Sequence, residues 1–247
     1  MPYTKCYGST TNEQWIMINI GTTDFYLNVA SLPIDEFESY STELFDKWEE
    51  YVSNVLELPD YYLALDVQEG SVNAKSKILV SATVLCGFLA TYGSISSGVK
   101  SLHSDITTIG NYLGDRASSP FPEANEKPKV HKRGEALSKL ESLFVKVGNG
   151  SISVEEAMTL AEKLLGEDAG EVPEFMEELK YSLEKTPSQI QLPIEEPEFL
   201  PALSEKDDER EPSKSKPKIP VIRSDQYRVE IWKESKSSKR NVLVRKI

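Results

Sequence analysis

The chain is poor in the side chains that most often carry chemistry. It has two cysteines and two histidines in 247 residues. Cys6 and Cys86 stand far apart, a separation that makes neither a disulfide framework nor a metal-ligand pair and that suits a reducing compartment. His103 and His131 have no Cys, Ser or carboxylate at an interpretable spacing, so both read as structural or solvated. No Walker-type loop, G-x-G-x-x-G, H-E-x-x-H, G-x-S-x-G or C-x-x-C occurs. No catalytic residue, cofactor or metal is therefore assigned, and no small-molecule substrate is evident. The opening MPYTKCYGSTTNEQ lacks the apolar core of a signal peptide, so the expected location is the cytoplasm, where the Asn149-Gly150-Ser151 sequon has no role.

Charge is plentiful but uneven. The net charge is −12, which makes free nucleic acid a poor partner for the whole molecule. From Ser213 to Ile247, eleven Lys/Arg face three acids, a net of +8, and the other 212 residues carry 17 Lys/Arg and 37 Asp/Glu, a net of −20. A basic tail on an acidic body can dock on that body, on phosphate or on an anionic membrane.

Periodicity then sets out an α+β organisation. In residues 1–72, Trp15–Ile20 and Phe25–Ala30 read as strands joined by a Gly21-Thr22-Thr23-Asp24 turn. An amphipathic helix follows, with Phe37, Tyr40, Leu44, Trp48 and Val52 on one face, and then a strand at Tyr61–Gln68. This is a ββαβ unit. Residues 73–114 read as one long heptad-patterned helix whose seam is Leu85, Phe88, Tyr92, Ile95, Val99, Leu102, Ile106, Ile109 and Leu113, and from Ser76 to Leu113 it would span roughly 55 Å. Residues 115–133 read as a linker and 134–185 as a small three-helix module, with a Ser153/Glu156 capping box. The joint before that box matches the back half of an EF-hand loop, but the first and third ligand positions fall on Val145 and Val147, which offer no side-chain oxygen. Residues 186–224 form a Pro-rich acidic linker expected to be disordered, with Ile190, Leu192, Ile194, Phe199 and Leu200 as a candidate docking motif. Residues 225–247 alternate as a basic β-hairpin, which is marginal alone and should add to a sheet, its own or a partner's.

One stretch stands apart. Ile78–Val99 holds 22 residues without charge, enough to cross a bilayer. Nine of them are Ser, Thr or Gly, which brings insertion energy near zero. Small residues recur at Ala82, Cys86, Ala90, Ser94 and Gly98, a ridge that lets another backbone approach in a membrane or a tight bundle. The seam continues past Val99 among polar residues, which favours burial by protein.

The order of strand, Glu69-Gly70-Ser71 and an uncharged small-residue helix over Tyr61–Leu113 resembles small bacterial proteins, some of which appear in conflict or defence settings. The resemblance implies an accessory adaptor or effector role and no site residue. The expectation is a non-enzymatic interaction or oligomerisation protein acting through the long helix and the tail, with a protein partner or self-association. The alternatives are a membrane-acting effector inserting residues 78–99 and an enzyme with a composite site. Nucleic acid is expected only through the basic C-terminal segment.

Overall fold

A period of two dictates the sheet. In Val72–Ser81 the residues Val72, Ala74, Ser76, Ile78 and Val80 are buried while Asn73, Lys75 and Lys77 are exposed, so one side of the strand turns inward. The computed structural model describes residues 17–29, 31–69, 72–121, 128–186 and 226–247. Among them are strands β1 (Met17–Leu27), β2 (Tyr62–Gln68), β3 (Val72–Ser81), β4 (Lys129–Arg133), β5 (Tyr227–Lys233) and β6 (Asn241–Lys246). They pair antiparallel in the order β4-β1-β3-β2-β5-β6. The helices are α1 (Ile34–Val55), α2 (Ala82–Leu89), α3 (Ile95–Ser118), α4 (Glu135–Gly148), α5 (Val154–Leu165) and α6 (Pro173–Glu184), with a 3-10 turn at Gly166–Glu171. The chain is a mixed α+β protein with one six-stranded antiparallel sheet.

Three parts of the expected arrangement differ. The N-terminal order is strand, helix, strand, strand, because Gly21-Thr22-Thr23-Asp24 is the interior of β1 and makes no turn. The register shifts between Asn19 and Gly21, and the Asn19 side chain holds that bulge by accepting from the Gly21 N–H at 3.1 Å and donating to Thr22 Oγ1 at 2.9 Å. The long helix of residues 73–114 is instead β3, α2, a turn and α3. Ser81 caps α2, accepting from the Val84 N–H, and Ser94 caps α3, accepting from the Ser97 N–H at 3.2 Å. Each cap starts a new helix within the uncharged stretch. The 115–133 segment is not wholly a linker either: α3 runs on to Ser118, and Lys129–Arg133 pairs with β1.

One side of the sheet is packed by α1 and α3. Leu63, Leu65, Val67, Val229 and Ile231 turn into it, beside the fully buried Phe37, Phe45, Trp48 and Val52 of α1. Helix α3 lies close over β1 because glycines remove the side chains in between. A Cβ on Gly21 would come within 2.5 Å of Ile106 Cγ2, and one on Gly110 within 2.7 Å of Thr23 Oγ1. The opposite side of the sheet carries the half-buried Tyr62, Leu79 and Trp232 together with polar residues cross-linked by the pairs Arg133–Asp24, Arg228–Asp66 and Arg245–Glu230.

The described part of the basic C-terminal segment docks on the acidic body. Strand β5 adds to β2. Lys233 pairs with Glu49 and Arg240 with Asp46, both on α1. The Lys236 N–H donates to Asp60 at 2.7 Å and its ammonium lies 5.5 Å from the Tyr61 ring. Burial, with Glu49 and Asp60 as lesser causes, pushes the Tyr61 hydroxyl up to about 12.

Asp105 on α3 gives a pH prediction. Burial, with Glu57 as a lesser cause, raises its carboxyl above the usual 3.8. A raised value in the fold means that the protonated form folds better, so the ionised group costs stability at neutral pH. Asp105→Asn should be more stable than the parent at neutral pH, and the difference should close as pH falls below 3.8. Urea melts at the two pH values check it.

Candidate functional site

Residues of the uncharged stretch separate according to the elements that hold them. Leu85, Ile95, Val99, Leu102, Ile106, Ile109 and Leu113 are buried within the chain, and Phe88 and Tyr92 are half-buried in an edge-to-face pair with centroids 5.4 Å apart. The small residues do not form one ridge. Ala82, Cys86 and Gly98 are buried, Ser94 is the half-buried cap of α3, and Ala90 is exposed on the turn between helices. A Cβ on Gly98 would meet Tyr92 Cδ2 at 2.9 Å, so this glycine seats a ring of its own chain. No described helix is long and apolar enough to cross a membrane. The motif Ile190, Leu192, Ile194, Phe199 and Leu200 lies outside the described residues.

Two of the expected residues, Ser94 and Ile95, line a cleft of about 550 Å³ between the start of α3, the second half of α4 and the end of α6. Its walls are Phe144 and Val145 of α4, Tyr181 and Ser182 of α6 and Lys185 just beyond it, with Lys100 and Glu141 at its polar margin. Phe144 lies on the buried stripe of α4, whereas Val145 is the next residue round the helix and stays 60% exposed. On α6, Phe175, Leu179 and Leu183 face the core and Tyr181 points away from them, 55% exposed. Lys185 lies one turn on, with its ammonium 4.2 Å from the Tyr181 centroid. The joint after α4 is a tight turn, with Gly150 at φ 73° and Asn149 Oδ1 accepting the Ser151 N–H at 3.0 Å; the Ser153/Glu156 capping box then starts α5.

A second constellation borders this cleft. His103 Nδ1 lies 2.9 Å from Glu141 Oε2, and His103 Nε2 lies 3.4 Å from Ser138 Oγ. The order Ser, His, carboxylate is that of a hydrolase relay. The surroundings are those of a brace. A Cβ on Gly134 would fall 2.5 Å from His103 Nε2 and 2.5 Å from Ser138 Oγ, so the backbone leading into α4 closes the space that a substrate carbonyl needs. Glu141 lines the cleft, but Ser138 and His103 do not. The ring ties α3 to α4. No group of three or more His, Cys, Asp or Glu able to hold a metal is found among the described residues.

The comparisons with known proteins leave the site to be read on its own geometry. No protein-family model, curated protein or solved structure matches the chain.

Proposed function

We propose that this chain is a non-enzymatic interaction protein that takes an apolar segment of another protein in the α3–α4–α6 cleft. The observation that carries this is the convergence of Val145 and Tyr181 on one cleft, because they are among the three most exposed large hydrophobic side chains described. Scattered single apolar residues on a surface need no explanation. Two that share a concavity with Phe144 and Ile95 form the apolar centre of a docking site, and Lys100, Glu141 and Lys185 supply its polar rim. The cleft's volume suits one or two large side chains presented by a helix or an extended peptide. An adaptor of this kind fits the bacterial conflict setting that the resemblance over Tyr61–Leu113 implies. With the α3 seam occupied inside the chain, the interaction is assigned to the cleft.

Selection of random peptides against the immobilised chain, followed by fluorescence anisotropy, tests this reading. Val145→Asp should weaken the selected peptides at least about tenfold, which is about 1.4 kcal/mol. It should leave the melting temperature unchanged, because Val145 is exposed. If no peptide is enriched over an unrelated protein, or if the variant binds as well as the parent, the cleft is not a docking site.

A further inference from the structure

We infer that β6 is a strand-pairing edge and that its occupant is the β6 of a second copy of this chain. The inference rests on hydrogen-bond parity and is independent of the cleft. The Ile247 N–H donates to the Gln226 carbonyl, and the β5–β6 register opposes Tyr227 to Lys246 and Trp232 to Asn241. In an antiparallel ladder, hydrogen-bonded and non-hydrogen-bonded pairs alternate. Residues 241, 243, 245 and 247 therefore spend their backbone groups on β5. The N–H and C=O groups of Val242 and Val244 point outward, and among the described residues they meet no partner.

The two edges of the sheet differ in kind. Strand β4 is the sequence Lys-Val-His-Lys-Arg, with four of its five side chains exposed, the charged pattern that keeps an edge from pairing. Strand β6 has Val242, Leu243 and Val244 in succession, without proline, and its register with β5 shows no bulge. Val242 is 39% exposed. An apolar edge whose outward backbone groups meet no partner among the described residues accepts another strand.

The order of side chains selects a second copy. Two β6 strands related by a two-fold axis through Val244 oppose Val244 to itself, Val242 to Lys246 and Leu243 to Arg245. No like charges then face one another, and the Lys246 stem lies over Val242. The neighbouring two-fold register, through Leu243, sets Arg240 against Lys246 and is disfavoured. Arg245 meets the pairing already matched to Glu230, and Arg240 to Asp46, so little free positive charge gathers at the seam. The product is one continuous sheet with both helical layers on the same side.

Sedimentation velocity on the full chain tests it. The parent should sediment as a dimer. Val244→Pro should sediment as a monomer, because the proline removes an outward N–H and no internal backbone bond; its melt should fall modestly, because the Val244 side chain packs against the core. Val242→Lys sets a cation against Lys246 and should also be monomeric, which decides the matter if the proline variant fails to fold. Val244→Cys in a Cys6→Ser background should form an intermolecular disulfide on mild oxidation, since hydrogen-bonded antiparallel partners lie about 5.5 Å apart at Cα. A monomeric parent overturns the inference, whether the edge is left bare, taken by a different protein or covered by another part of the same chain. A dimer untouched by both substitutions overturns it as well.

Discussion

A chain lacking residues 226–247 is expected to lose cooperative unfolding and to aggregate. The deletion uncovers the edge of β2, whose fully buried Leu63, Leu65 and Val67 lie beside β5 in the sheet. It also removes the buried Val229 and Ile231. Emptying each such position costs about 2–5 kcal/mol, and with the lost ladder the sum is comparable to a typical domain stability of about 5–15 kcal/mol. The exposed ion pairs of the hairpin contribute much less than this burial, whereas Lys233–Glu49 is largely buried. Arg240–Asp46 is solvent-exposed and Arg228–Asp66 largely so, and such pairs are worth about 0–1 kcal/mol. High salt should therefore leave the hairpin in place, since apolar burial and the weakly screened Lys233–Glu49 pair hold it. Thermal melts by circular dichroism, with light scattering to follow aggregation, compare the two chains. A cooperative melt within a few degrees of the full chain would show the hairpin to be peripheral.

Gly21→Val is the second large effect. The new Cβ would lie 2.5 Å from Ile106 Cγ2, inside any real contact, so α3 must lift from β1 or Ile106 must leave its place. Overpacking of this kind typically costs about 1–3 kcal/mol, and the upper end applies because Ile106 lies in the core between helix and sheet. The mechanism has its own check. Ile106→Ala alone should also destabilise, by about 2–5 kcal/mol, but the double variant should be less destabilised than the sum, since the alanine vacates the space that the valine fills. A coupling energy near zero in that cycle would show that the glycine serves another purpose.

Gly21 also shows where the sequence was legible and where it was not. The α+β class was readable because period-two and period-3.6 patterns are local properties. The aromatic face of α1 and the alternation of Tyr227–Lys233 and Asn241–Lys246 stand out without knowledge of their partners. Gly21-Thr22-Thr23-Asp24 does not. The same four residues suit a turn or the crowded interior of a strand, and the deciding neighbour, Ile106, belongs to another element. The broken helix misleads for a similar reason. The 3-4 spacing from Leu85 to Leu113 is genuine, and α2 and α3 both use it to face a common core. Ser94, though, serves equally as a small residue on a helix face or as the cap that starts a new helix. The alternation Val72-Asn73-Ala74-Lys75-Ser76-Lys77-Ile78 was a strand signal, masked where Leu79 continues the apolar run. At the cleft, Val145 and Tyr181 are apolar residues off the stripes of their own helices. That offset was visible in the sequence, whereas their convergence is a property of the packing of α4 and α6. The partners of His103 lie 35 and 38 positions away, beyond any motif spacing.

The position of β5 in the sheet also has a consequence for synthesis. Tyr227 is made 158 residues after Glu69, beside which it pairs. At about 5–20 residues per second, β2 waits roughly 8–30 s for its neighbour to leave the ribosome. Through that interval the nascent chain holds β2 with one side unpaired, so this side of the sheet stays open until β5 has been made. Its vulnerability to proteolysis and misassociation is greatest before residue 233 emerges.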